Sequence, residues 1–176
     1  KLKSRGVGGG GRLFLLNPGE GSLPLREWPL ENFIRLARRL MERDDDRLLV
    51  IGREAAGRKA GEIVKALAGK KCADLSGQTS LEELMELFHM ADALICNDCG
   101  LAHLAMLTPV REFVLFGPES PQIFGPMKEG ARFITARRPC SPCLSVLNHR
   151  NSSCADNVCL KAIDPDEVYE HITRSL

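Results

Sequence analysis

Along most of the chain, short unbroken apolar runs alternate with longer stretches whose apolar positions recur at helical spacing. The runs show no polar alternation and are too short for helices, so they predict strands buried on both sides. They are RLFLLN at 12–17, RLLVIG at 47–52, CADL at 72–75, ALIC at 93–96, EFVLF at 112–116 and ARFITA at 131–136. Between them, LENFIRLARRLMER at 30–43 sets Phe33, Ile34, Leu36, Ala37, Leu40 and Met41 on one helical face, with Pro29 suited to the first turn. Further helices are expected over 56–69, over 80–90 with Ser80 and Glu83 at capping-box spacing, over GLAHLAML from Gly100, and over 164–176. Strands alternating with helices through short connections predict an α/β fold: a Rossmann-like parallel sheet with helices on both faces.

Composition narrows what such a domain does. At 176 residues the chain is long enough for one domain with its own core. A net charge of +1, with 24 basic against 23 acidic residues, lacks the basic excess of a nucleic-acid binder. No apolar run approaches the roughly 20 residues that span a membrane, and no secretory segment opens the chain, so a cytoplasmic protein is expected. Seven cysteines, an odd number, favour a reducing compartment over a disulfide framework. The chain opens on Lys1 rather than Met, and residues 1–11 read as a Gly-rich linker ahead of a domain over 12–176. An upstream part is expected outside this sequence.

In an open α/β sheet, ligands dock where loops leave the carboxyl ends of the strands. The loop NPGEGSLPLREWP at 17–29 exposes Gly-rich backbone and carries Ser22 and Arg26, a combination suited to a diphosphate. The competing reading leaves Arg26 solvated and Trp28 simply packed. Glu54, just past the second strand, is placed to accept from ribose hydroxyls, or to sit as a solvated acid at a helix start. Gln78 and Thr79 precede a capped helix, and capping alone accounts for them. The stretch CNDCGLAH at 96–103 puts the amides of Gly100, Leu101 and Ala102 at a helix start, where an anion is favoured. Asp98 would repel a phosphate placed on it, so it faces sugar hydroxyls or serves as an N-cap. A nucleotide-sugar reconciles the two: the amides take the diphosphate and the acid takes the sugar. His103 faces either the ligand or the core. The Pro-rich loop FGPESPQIFGP at 116–126 shows little chemistry and is expected to shape a cleft wall.

Taken together, PGEGS…REWP, SLEELMELFHMAD, ICNDCGLAHLA, TPV…LFGPESP…FGP and CSPC resemble, in order, the motifs of the ADP-heptose:lipopolysaccharide heptosyltransferases, glycosyltransferase family nine. The likeness runs from about residue 12 to the end. It implies the donor-binding C-terminal half of a two-domain GT-B enzyme, with ADP-heptose as donor and a lipopolysaccharide-core acceptor held by an N-terminal domain outside this chain. By the same resemblance, Ser22 and Arg26 hold the diphosphate, Glu54 the ribose and Thr79 the adenosine. Asp98 contacts the sugar, and Gly100, Leu101 and His103 form the phosphate turn. Cys99 stands where Thr or Ser is usual, exchanging a hydroxyl donor for a weak S–H. Inverting transfer is implied, needing no divalent metal, with Arg26 stabilising the leaving ADP. The general base would come from the other half, so this chain alone should bind donor but transfer poorly. Membrane contact is expected to be peripheral at most.

The four late cysteines, Cys140, Cys143, Cys154 and Cys159, follow C-x2-C-x10-C-x4-C, which suits a structural zinc, with reduced buried thiols or disulfides formed during purification as the competing readings. Rival readings are an epimerase-type enzyme sharing the donor half, a zinc-stabilised nucleic-acid module, and a regulatory nucleotide sensor. The neutral charge counts against the second.

Overall fold

The computed structural model describes residues 9–19 and 23–176. Six strands are found where the apolar runs predict them: β1 (Leu13–Asn17), β2 (Arg47–Val50), β3 (Cys72–Asp74), β4 (Ala93–Asn97), β5 (Arg111–Leu115) and β6 (Arg132–Ile134). All pairings are parallel, in the order β3-β2-β1-β4-β5-β6. The chain therefore builds outward from β1 in one direction, then returns to its other side through β4. The crevice between the carboxyl ends of β1 and β4 is the switch point where such sheets bind ligands.

The runs are apolar throughout because both faces of the sheet are covered. Phe14, Leu16, Leu48, Val50, Ala93 and Ile95 face one core. Their neighbours Leu13, Leu15, Leu49, Leu94 and Cys96 face the other. The first core is closed by α1 (Leu30–Leu40), α2 (Gly57–Ala66) and α7 (Pro165–Thr173), through residues such as Phe33, Leu36, Ile63, Val168 and Ile172. The second is closed by α3 (Leu81–Met90) and α4 (Gly100–Ala105), through Leu84, Leu87, Phe88, Ala102 and Ala105.

The expected capping box is present: the Ser80 hydroxyl accepts from Glu83 N–H at 3.2 Å, and Glu83 accepts from Ser80 N–H at 3.1 Å. Two short helices were not predicted, α5 (Pro121–Phe124) and α6 (Val158–Lys161). Each is a single turn, too brief to show a 3.6-residue period. Among the described residues, no helix is long and apolar enough to cross a membrane.

Candidate functional site

The site begins with two asparagines at the ends of the central strands. Asn17 closes β1, and its side-chain oxygen accepts the N–H of Gly19 at 3.0 Å while its amide approaches Cys99 Sγ at 3.3 Å. Gly52 passes so close that a β-carbon there would lie 2.9 Å from that oxygen, and its φ of +147° already disfavours a side chain. Asn97, fully buried at the end of β4, accepts Trp28 N–H at 3.0 Å and donates to the carbonyls of Pro18 and Gly19. Trp28 is further fixed by its indole N–H, which donates to Ile163 O at 3.1 Å, and by edge contact with Phe33. The loop after β1 is thus tied down at both ends, and the 3-10 turn Pro24–Arg26 stands between the ties.

That turn delivers Arg26 into a buried carboxylate pair. Its Nη1 lies 3.4 Å from Asp98 Oδ2 and 3.2 Å from Glu119 Oε2, with 13% of the arginine side chain exposed. The Nε of Arg26 is buried with no acceptor among the described residues. Asp98 follows β4, and Glu119 follows β5 within Gly-Pro-Glu-Ser-Pro; both are buried. Burial above all, and then a hydrogen bond with Glu119, pushes the Asp98 carboxyl up to about 7, although the Arg26 charge pulls the other way. Arg150, from the late loop, reaches the other Glu119 oxygen at 3.1 Å.

Cys99 is the N-cap of α4, one residue later than the N-cap reading of Asp98 would have it. Its thiol is drawn below the usual range, first by a hydrogen bond from Cys96, then by the amides of Leu101 and Ala102 and the side chain of Asn17. Gly100 is the first helical residue and is exposed, with open space where a side chain would project. Leu101 is half-buried against the second core. His103 is exposed and makes no hydrogen bond or ion pair among the described residues, so it is not a core histidine.

The remaining expected residues lie farther along the same edge of the sheet. Glu54 opens a 3-10 turn after β2 and is exposed. Gly77 packs on it so closely that a β-carbon would meet its Cα at 3.0 Å, which brings Thr79, half-buried before α3, to the neighbouring loop. Read across the strands, the loop residues run Glu119, Asp98, Asn17, Glu54 and Thr79, following β5, β4, β1, β2 and β3. Ser22 lies outside the described residues.

The late cysteines do not fit a metal in this arrangement. Among the described residues no three His, Cys, Asp or Glu side chains converge as a metal site. Cys140 is exposed, Cys154 donates its S–H to Asp156 O at 2.9 Å, and Cys159 is buried beside Gly117. Burial raises the Cys159 thiol, and the neighbouring Cys143 and Cys140 add to the rise. Their loop instead braces the site. The N–H groups of Cys143 and Leu144 donate to Pro118 O at 2.9 and 2.8 Å, and Asn157 donates to the carbonyls of Glu27 and Leu25 at 2.6 and 3.4 Å.

The Pro-rich loop, expected only to shape a wall, carries Glu119 into the heart of the site. The legible signal was an acid directly after a strand end between two prolines. Asn17 and Asn97 were legible as polar residues closing apolar strands, but Arg150 and Asn157 had no local signal.

With that geometry in hand, residues 11–152 match the family model described as glycosyltransferase family 9 (heptosyltransferase). Lipopolysaccharide heptosyltransferase 2 of Salmonella typhimurium is 32% identical over 121 residues, covering 66% of this chain and 34% of that protein. The solved E. coli ADP-heptose lps heptosyltransferase II superposes with a TM-score of 0.77 at 24% identity, over 93% of this chain and 46% of that one. An E. coli heptosyltransferase solved with ADP gives a TM-score of 0.72 at 17% identity, over 94% and 45% respectively. The chain spans about a third of the curated relative and under half of each solved structure.

Proposed function

The chain belongs to glycosyltransferase family 9, and from that membership we propose that it is the donor-binding half of a heptosyltransferase-type enzyme. The observation that carries this reading is one buried guanidinium, Arg26, set beside Asp98 and the exposed start of α4 at the switch point of the sheet. Arg26 would pair with the diphosphate of a nucleotide-sugar, and the amides from Gly100 onward would face its oxygens. Asp98 would accept from the sugar hydroxyls. Glu54 and Thr79, two and three strands away, would lie against the ribose and adenine.

ADP-heptose is the donor this reading favours, since relatives of the same fold include one described by that sugar nucleotide and one solved with ADP. The acceptor would be a lipopolysaccharide core held by a second half, with membrane contact no more than peripheral. Transfer would invert the anomeric centre, the second half supplying the general base, while Arg26 balances charge developing on the departing ADP. Structural zinc forms no part of this reading, because the cysteines do not converge.

Calorimetric titration with ADP, ADP-heptose, UDP and GDP tests it. Selective binding of the adenine nucleotides, weakened about 10- to 100-fold by Arg26→Ala, is the expected result for a lost charge-assisted pair. Preference for UDP or GDP would overturn the donor, and a folded sample that binds no nucleotide would overturn the site.

A further inference from the structure

We propose that a diphosphate competing for Arg26 takes the guanidinium from the buried carboxyls of Asp98 and Glu119, so that ligand binding draws a proton from solvent onto them. The inference rests on the donor-site reading and adds to it a role for Glu119 as a positioning residue.

The geometry is a competition for one nitrogen. Asp98 Oδ2 and Glu119 Oε2 both face Arg26 Nη1, at 3.4 and 3.2 Å, and their side chains are 7% and 1% exposed. Two ionised carboxylates this close and this dry repel each other unless a cation stands between them, and Arg26 is that cation.

The other charged and titratable groups set the balance. Arg150 faces Glu119 Oε1 from the late loop, with its own side chain 46% exposed and partly screened. Cys96, held as a thiol by its bond to Cys99 and by burial, senses Asp98 without answering its charge. Cys99, the group drawn down beside it, adds negative character rather than relieving it. Arg26 is therefore the principal cation holding the acids ionised. A diphosphate brings new negative charge and a better bidentate partner for the guanidinium. Both effects favour protonation of the carboxyls. The balance is one proton from solvent onto the pair, with no bond to carbon or phosphorus formed or broken.

The experiment is calorimetric titration of the protein with ADP at pH 8, where the nucleotide's phosphates are ionised, in two buffers of different ionisation enthalpy. The expected result is a buffer-dependent heat corresponding to proton uptake, with affinity falling by up to about tenfold per pH unit above neutrality. Glu119→Gln, which takes away the second negative charge beside Asp98, should weaken the buffer dependence and flatten the pH profile. Identical heats in both buffers would overturn this inference alone. Absence of ADP binding would overturn the donor-site reading and this inference with it. Carboxyl-carbon NMR of the unsubstituted protein reads the same pair without a variant: a carboxyl titrating near neutrality supports the proposal, and two titrating in the ordinary acid range refute it.

Discussion

Asn97 holds Trp28 in place: its buried side-chain oxygen accepts the tryptophan's backbone N–H at 3.0 Å, and its amide reaches back to Pro18 and Gly19. One side chain thereby fixes both ends of the loop that presents Arg26. Asn97→Leu keeps the volume and strands these partners, at an expected cost of about 2–4 kcal/mol. Urea denaturation reads it directly, and an unchanged midpoint would mean the loop is anchored elsewhere.

Asp98 makes stability depend on pH in an unusual direction for a carboxyl beside an arginine. Its folded value of about 7 lies above the ordinary value of 3.8, so its contribution is fully present below about pH 4 and lost as the pH rises through 7. Asp98→Asn keeps a neutral side chain at every pH. The variant should match the parent near pH 4 and exceed it at pH 8 by something on the order of 2 kcal/mol. Thermal unfolding at the two values checks the sign, and a variant less stable at pH 8 would contradict it.

Cys99 occupies the N-cap of α4 without a side-chain cap bond, where a hydroxyl would supply one. Cys99→Ser should raise stability by about 0.5–1 kcal/mol through a stronger cap. It should also tighten ADP binding. A fall in both would show that the soft contact with Asn17 and Cys96 is the more important one.

Gly52 has no room for a methyl group. Gly52→Ala places a β-carbon 2.9 Å from the Asn17 oxygen at a backbone angle that L residues avoid, which should cost about 1–3 kcal/mol. Because Asn17 orients Gly19 and approaches Cys99, nucleotide affinity should drop as well. Retention of full affinity would separate Asn17 from the site.

The fold was readable because burial on both sheet faces writes itself as unbroken apolar runs, a mark carried by β1, β2, β4 and β5, whereas the edge strands β3 and β6 are only partly covered. Position in the site was readable only where a residue sits beside a strand end in sequence. Asp98 and Glu54 satisfy that condition, while Arg26, nine residues past β1, was legible only as the cation of a long Gly-rich loop. Glu119 satisfies it too, but the flanking prolines suggested a wall rather than a charge. Arg150 and Asn157 act from a loop whose course depends on tertiary packing, so no periodicity announces them. The four cysteines show the opposite: regular spacing in sequence, yet no three metal-binding side chains gathered as a site among the described residues.

The brace from Asn157 to the carbonyls of Leu25 and Glu27 crosses 132 and 130 positions of sequence to clamp the residues on either side of Arg26. The aim of the arginine is thus set from the tail as well as from Asn97 on the sheet. Lengthening or shortening the chain between Pro139 and Asn157 would swing that guanidinium like a lever while every strand stayed in register. The set of Arg26 is therefore adjustable from a segment outside the sheet.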